Sequence, residues 1–153
     1  MQAIMIKETM KTEATITDTK MKAIVQDSYG GAEVLEYTEI DRPEVGDNEV
    51  LVRVHASAVC RGVWHLMTGK PYVIRVVGFG LRAPKMRVPG MDMAGVVEAV
   101  GKNVTRLKVG DEVFGTGMSS GAFAEYASLD EDKLVLKPKT SRSGRPWPFR
   151  FLV

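Results

Sequence analysis

Residues 49–59 read EVLVRVHASAV, and this stretch decides how the rest of the chain is interpreted. Valines and alanines at every second position alternate with the residues between them, of which Arg53, His55 and Ser57 are polar. In a strand, successive side chains point to opposite faces, so a strand buried on one face has a two-residue period, whereas a helix has a period of about 3.6. The pattern predicts a half-buried β-strand with His55 on its solvent side.

Six further short apolar runs lie on either side of this strand, separated by turn residues every ~8–12 positions. No run is followed by a 10–15-residue amphipathic helix, which excludes a βαβ organisation. Only Trp64–Thr68 has the character of a helical turn. The sequence predicts a mainly β barrel or sandwich with one or two short helices. The predicted strands are Met21–Gln26, Val34–Ile40, Glu49–Val59, Ala94–Val100, Asp111–Phe114, Phe123–Ser128 and Leu134–Leu136.

Composition excludes several classes of protein. The 153 residues are 44% hydrophobic and 26% charged, which is ordinary for a folded globular protein. A single cysteine, Cys60, cannot form an internal disulfide and favours a reducing compartment. No apolar run approaches the ~20 residues of a membrane span, and the N-terminus lacks the features of a secretory signal. We therefore expect a cytoplasmic protein with no membrane partner.

Charge and composition divide the chain into three parts. Residues 1–20 lack a sustained period and are predicted to be a flexible extension, and residues 21–138 hold the strands. Residues 139–153 form a basic tail rich in proline and arginine that does not look native to the fold. Residues 70–87 carry five basic residues and no acid, but no nucleic-acid motif accompanies them. A solvated loop is favoured there, and no nucleic-acid partner is expected.

Three residues could carry chemistry. Cys60 and His65 follow the longest strand, at a position where function concentrates, but a buried cysteine and a histidine packed beside Trp64 are equally good interpretations. Asp92 precedes an apolar strand, where a carboxylate can serve a site or bond to backbone amides of the turn. One cysteine and two histidines are too few for a four-ligand structural zinc site.

The glycine-rich segment 115–121, GTGMSSG, is similar to a dinucleotide fingerprint. Such a loop must open a helix whose N-terminus faces the pyrophosphate, and the following residues are too few and too strand-like for that. A β-hairpin loop whose glycines adopt positive φ is the better interpretation.

The order of motifs resembles the GroES-like catalytic domain of the medium-chain dehydrogenase/reductase superfamily, which includes alcohol dehydrogenases and quinone oxidoreductases. The resemblance covers about residues 21–138 and implies a partly open β-barrel. It rests on the stretches MKAIV (21–25), NEVLVRV (48–54), PGMDMAGVV (89–97), VGDEVFG (109–115) and GAFAEY (121–126).

This resemblance implies hydride transfer between NADPH or NADH and a carbonyl, an alcohol or a quinone, in a cleft shared with a nucleotide-binding domain. In zinc-dependent members, the position of Cys60 and a Gly-His-Glu triplet supply zinc ligands. Here the triplet is Gly90-Met91-Asp92, and a thioether is a poor zinc ligand, so a zinc-free member is expected. The resemblance then implies catalytic roles for His65 and Cys60, with Trp64 and Asp92 lining the substrate cleft.

After Lys137-Pro138 the chain does not resemble the family further, and no nucleotide-binding domain follows. We expect a truncated or frame-shifted product that is inactive alone, and residues that would bind the cofactor are not identified. Two alternatives remain: a stand-alone GroES-like binding or assembly module, and a non-functional fragment. A fragment would self-associate through an uncovered apolar face.

Overall fold

The computed structural model describes residues 19–138 and contains seven strands and one α-helix. The predictions for residues 1–20 and 139–153 therefore lie outside the described residues, except at Thr19 and Lys20. The strands are β1 (Lys20–Val25), β2 (Glu36–Asp41), β3 (Glu49–Ala58), β4 (Asp92–Val100), β5 (Glu112–Thr116), β6 (Tyr126–Asp130) and β7 (Leu134–Leu136). The helix is α1 (Arg61–Thr68), and shorter helical turns occupy Ala32–Val34, Arg75–Phe79 and Glu131–Lys133.

The strands form two antiparallel sheets. The larger has the order β6-β3-β4-β5-β7, with β3 and β4 at its centre, and the smaller pairs β1 with β2. The larger sheet does not close on itself, so the mainly β, partly open barrel predicted from the sequence is confirmed. No helix among residues 19–138 is both long enough and apolar enough to span a membrane.

Strand β3 is more buried at its start than its sequence period predicts. Val50, Leu51 and Val52 are all buried, so strict alternation is wrong for this half of the strand. Because successive side chains of a strand point to opposite faces, three buried residues in a row mean that both faces of β3 are covered at this end. Alternation begins only at Arg53, and His55 is exposed as expected.

Several element boundaries also differ from the prediction. Helix α1 begins at Arg61 rather than Trp64, because Cys60 is already the extended residue that precedes the helix. Strand β2 begins at Glu36 because Ala32–Val34 form a 3₁₀ turn. The segment 123–125 does not begin β6, since its backbone bonds to β1 instead.

Strand β1 joins the small sheet to the large one. The N–H of Ile24 donates to the carbonyl of Phe123 at 2.8 Å, and the N–H of Glu125 donates to the carbonyl of Lys22 at 3.0 Å. The side chains of Ala23, Val25 and Val88 form a small buried cluster at this junction. The main core lies in the larger sheet and contains Val50, Val52, Met93, Val97, Leu107, Val113, Ala122, Ala127, Leu129 and Leu134.

The outer edge of the larger sheet at β6 is partly covered by a hydroxyl group. The backbone N–H of Ser128 donates to Oγ of Ser120 at 2.7 Å. The side chain of Ser128 is buried, and its Oγ donates to Oε2 of Glu49 at 2.8 Å on the neighbouring strand. The connection from β5 to β6 is therefore fixed against the strand that it leads into.

Glu131 fixes the connection between β4 and β5. Its Oε1 accepts hydrogen bonds from the N–H groups of Thr105 (3.0 Å), Arg106 and Leu107 (3.2 Å). Its own N–H donates to the carbonyl of Asn48 at 3.2 Å. One carboxylate thus satisfies three consecutive amides and holds Leu107 in the core.

We expect Glu131→Ala to lower the free energy of unfolding by about 1–3 kcal/mol, because three amides lose a charged acceptor. Urea denaturation measures the change. Asp132→Ala is the matched control, since it removes the neighbouring carboxylate and should leave stability nearly unchanged. Equal effects from both substitutions would contradict this role of Glu131.

A bidentate ion pair joins the end of β1 to the segment that precedes β4. Nε of Arg87 donates to Oδ1 of Asp27 at 2.6 Å, and Nη2 donates to Oδ2 at 3.2 Å. The hydrogen bonds from Arg87 hold the pKa of Asp27 below its ordinary value of 3.8. The same pairing raises the pKa of Arg87. Both groups are more than half exposed, which limits what the pair contributes to stability.

The depressed pKa of Asp27 fixes the sign of a pH effect. The stabilisation from this pair is present above pH 3.8 and is lost as the pH falls through the lower, folded-state pKa. NMR titration of the carboxyl carbon should give a midpoint below 3.8, and Arg87→Ala should return it towards that value. Arg82→Ala is the control and should not move it. An Asp27 midpoint that is the same with and without Arg87 would refute the assignment.

Candidate functional site

Helix α1 carries two of the four residues singled out from the sequence, Trp64 and His65. Cys60 immediately precedes it with an extended backbone, and the carbonyl of Cys60 accepts the N–H of Trp64 at 3.2 Å. The buried side of the helix is formed by Val63 and Met67, at the i and i+4 spacing of a single helix face. Cys60 is partly buried and its thiol is free.

The C-terminal end of α1 is held by an arginine that sequence reasoning missed. Gly69 ends the helix with a φ of 61°, a left-handed conformation that glycine adopts without strain. Arg75 donates to the carbonyls of Gly69 (2.9 Å) and Thr68 (3.2 Å), two of the acceptors left open at a helix end. Its guanidinium also lies 4.2 Å from the ring centre of Tyr29. Arg75 therefore fixes the C-terminal end of the helix, whereas Cys60 provides no side-chain hydrogen bond at the other end.

The segment 90–92 is fixed against the same end of the large sheet. The N–H of Gly117 donates to the carbonyl of Met91 at 2.9 Å, and Oγ of Ser57 donates to the carbonyl of Asp92 at 2.6 Å. Asp92 pairs across the sheet with Ala58, two residues before Cys60. The fold thus brings the start of β4 and the start of α1 together.

Gly90 is required at the entrance to this segment. Its φ is 101°, and a side chain there would meet the backbone nitrogens of Phe123 at 2.8 Å and Ala122 at 2.9 Å. Both the backbone conformation and the space exclude a larger residue. This glycine places Met91 next to the helix.

Cys60 and Met91 both lie against Gly62. A Cβ atom at position 62 would stand 3.2 Å from Sδ of Met91 and 3.6 Å from Sγ of Cys60. The absence of a side chain at Gly62 therefore leaves room for the two sulfur groups at the start of α1. Sequence reasoning did not single out Gly62, and no local pattern marks it.

His65 and Trp64 form the exposed part of the site. Their rings lie edge to face, with centres 5.1 Å apart, and the side chain of Trp64 is about half exposed. Nδ1 of His65 lies 2.7 Å from the carbonyl oxygen of Lys70. A carbonyl oxygen only accepts, so Nδ1 carries a hydrogen, and Nε2 of the neutral ring keeps its lone pair. Within residues 19–138 no hydrogen bond occupies Nε2.

The four predicted residues lie at one end of the large sheet but are not joined into a single network. Trp64 and His65 lie on α1, Cys60 immediately precedes this helix, and Asp92 is the first residue of β4. The structure gives no hydrogen bond between the side chains of Cys60, His65 and Asp92. The arrangement is therefore not a linked catalytic triad.

Zinc does not fit this end of the sheet. A catalytic zinc needs three protein ligands of the imidazole, thiolate or carboxylate type, and the group beside Cys60 is the thioether of Met91. Across the described range 19–138, no three His, Cys, Asp or Glu side chains cluster closely enough to hold a metal ion.

The glycine-rich segment 115–121 does not fit the pyrophosphate of a dinucleotide. It leads from β5 to β6 without a helix, so it offers no helix N-terminus. The prediction of a β-hairpin is also wrong, because β5 and β6 are not neighbours. The segment instead leads from β5 to β6, which is the edge strand beyond β4 and β3. Among its glycines Gly121 has positive φ, and a side chain there would meet the carbonyl oxygen of Val88 at 2.1 Å.

Comparison with known proteins agrees with this architecture. A family model described as the alcohol dehydrogenase GroES-like domain matches residues 46–139. The quinone oxidoreductase of Sus scrofa is 34% identical over 120 residues, covering 78% of this chain and 34% of that protein. The chloroplastic NADPH-dependent alkenal/one oxidoreductase of Arabidopsis thaliana is 36% identical over 129 residues, covering 78% of this chain and 32% of that protein.

A solved structure shows the same fold. The quinone oxidoreductase from Coxiella burnetii superposes with a TM-score of 0.67 at 28% identity, over 80% of this chain and 38% of that one. The chain spans about a third of the length of the curated relatives that it matches. With the family model covering more than half of its residues, the chain belongs to the alcohol dehydrogenase GroES-like domain family, within the medium-chain dehydrogenase/reductase superfamily that contains the quinone oxidoreductases.

Proposed function

We propose that this chain forms the substrate-binding β domain of a zinc-free NAD(P)H-dependent oxidoreductase. The reaction is hydride transfer between the nicotinamide and a carbonyl compound, an alcohol or a quinone. The relatives named quinone oxidoreductase and NADPH-dependent alkenal/one oxidoreductase support this reaction class. The observation that supports the proposal is the pairing of Asp92 with Ala58, which brings the start of β4 to the start of α1, the helix that carries Trp64 and His65.

His65 provides the proton in this proposal. The bond from Nδ1 to the carbonyl of Lys70 fixes the ring and leaves Nε2 directed elsewhere. When a carbonyl carbon accepts hydride, its oxygen gains negative charge and needs a proton, which Nε2 of a protonated His65 can donate. The cofactor supplies the hydride, and the protein supplies binding, orientation and this proton.

The other residues of the site would shape the cleft. Trp64 offers a large, half-exposed ring beside the imidazole, suited to packing on a planar quinone or enone. Cys60 immediately precedes α1, and Asp92 is the first residue of β4. We assign them substrate contact rather than bond-breaking chemistry, because neither is hydrogen-bonded to His65.

We also propose that these 153 residues do not turn over substrate alone. Residues 19–138 contain no glycine-rich turn that opens a helix, which is the usual pyrophosphate site. The substrate site and the cofactor site would then lie in different parts of a functional assembly.

The test joins residues 21–138 to the nucleotide-binding part of the Sus scrofa quinone oxidoreductase and follows NADPH absorbance with a quinone. We expect the chimera to oxidise NADPH, the 153-residue chain alone not to, and His65→Phe to lower kcat by about 100-fold through loss of the proton donor. His55→Phe is the matched control, since His55 is an exposed histidine on β3 rather than on α1. A folded chimera without activity, or equal effects of the two substitutions, would refute the proposal.

A second candidate function is assembly through exposed apolar side chains. Five large hydrophobic residues within one ten-residue stretch are between 60% and 73% exposed, which is unusual for a solvated loop. They are Tyr72, Val73, Val76, Val77 and Leu81.

If this stretch drives assembly, the purified chain should sediment as an oligomer whose population rises with concentration. Val76→Asp together with Val77→Asp should return it to the monomer, because burying a carboxylate in an apolar contact is costly. Val109→Asp is the control, being an exposed valine on a different connection. A wild-type chain that stays monomeric at high concentration excludes this second function.

A further inference from the structure

The chain leaves α1 through the carbonyls of residues 67–70, and each of them accepts a hydrogen bond from a group other than an amide of the helix. The donors are the N–H of Gly30 for the first carbonyl, the guanidinium of Arg75 for the next two, and Nδ1 of His65 for the last. Carbonyls at a helix end have no partner within the helix, so the groups that bond them decide where the chain goes next. Arg75 thus holds the two carbonyls that directly precede the one bonded to His65.

The guanidinium of Arg75 is itself held in one orientation. It lies 4.2 Å from the ring centre of Tyr29 and 4.9 Å from that of Tyr72. The hydroxyl of Tyr29 lies 3.0 Å from the carbonyl oxygen of Phe79 and 2.7 Å from that of Gly80, which ties this ring to the chain that follows Arg75. A guanidinium is a planar fork of donors, so fixing its plane also fixes the positions of the carbonyls that it bonds.

The absence of a side chain at Gly69 lets the guanidinium lie directly against the end of α1. A Cβ atom at this position would stand 2.5 Å from Nε of Arg75 and 2.6 Å from Cδ1 of Tyr29. Any larger residue would displace the arginine, in addition to straining a backbone whose φ is 61°. The helix end and the arginine therefore form one packed unit.

The carbonyl of Lys70 decides which nitrogen of His65 carries the hydrogen. A neutral imidazole has a single N–H, and its hydrogen-bond partner selects the tautomer. The 2.7 Å contact to Nδ1 favours the Nδ1–H form, whereas an imidazole without a partner favours Nε2–H. Because His65 lies on the helix and Lys70 lies beyond its end, this contact depends on the path of residues 68–70, which Arg75 holds.

We propose that Arg75 is a positioning residue for His65. By holding the carbonyls of Thr68 and Gly69 it places the carbonyl of Lys70, and the neutral ring then keeps its hydrogen on Nδ1 and a lone pair on Nε2. The catalytic value of this arrangement rests on the proposed function, because a proton donated from Nε2 leaves behind the same Nδ1–H tautomer. The placement of the ring does not depend on the reaction.

The test measures the ring-nitrogen NMR shifts of His65 in the complete ¹⁵N-labelled chain at about pH 9, where an ordinary imidazole is neutral. Protonated and bare ring nitrogens differ in shift, and His55→Phe distinguishes the signals of the two histidines. We expect the Nδ1–H form to predominate. Arg75→Met removes the donors and should lower the ratio of Nδ1–H to Nε2–H by about fivefold or more. Arg82→Met is the matched control, an exposed arginine in the same connection, and should leave the ratio unchanged.

A purely structural role for Arg75 would lower the free energy of unfolding without changing the tautomer ratio in the molecules that stay folded. Arg75→Lys keeps a charged donor but loses the fork, so it should give an intermediate ratio, and it decides the case if Arg75→Met does not fold. An unchanged ratio in the folded variant would overturn the proposal. So would a wild-type ring that is mainly Nε2–H, or an equal change in Arg82→Met.

This measurement uses neither substrate nor cofactor, so it is independent of the chimera experiment. A changed ratio together with an inactive chimera would support the role of Arg75 and refute the proposed function. An active chimera together with an unchanged ratio would do the reverse.

Discussion

The close approach of β3 and β4 at Gly95 is the constraint on which the rest of the fold depends. A Cβ atom there would lie 2.0 Å from the carbonyl oxygen of Arg53, so only glycine lets the two central strands pair. Strand β6 pairs with β3, β5 pairs with β4, and β7 pairs with β5. The position of every other strand in the large sheet therefore depends on this contact. The same pairing sets Asp92 opposite Ala58 and so brings the start of β4 to the start of α1.

The sequence predicted the strands well because their signal is local. Apolar runs between turn residues marked all seven, and the strong run 49–59 became β3. Non-local contacts caused the errors: both faces of β3 are covered at Leu51, and residues 123–125 bond to β1 rather than beginning β6. The segment 115–121 looked like a hairpin because strand order cannot be read from spacing alone.

The candidate site likewise contains some residues that local sequence signals reveal and others that only non-local contacts bring into place. Cys60, Trp64 and His65 are close in sequence, on one helix and the residue that precedes it, so local reasoning finds them. The approach of Met91 to Gly62 depends on the register of β3 and β4, which two irregularities shift between Leu51 and Ala56. Arg75, which fixes the end of α1, lay in a stretch interpreted as a solvated loop.

The hydroxyl of Ser120 on the edge of β6 bears on how this chain behaves at high concentration. An uncovered edge strand presents a row of free amides that another chain can extend, which is the route to fibrils. Here the outward amide of Ser128 is already occupied by its own chain, and the opposite edge, β7, is only three residues long. Neither edge of the sheet therefore offers a long row of free amides to another chain. The open barrel is protected from edge-to-edge association without closing on itself.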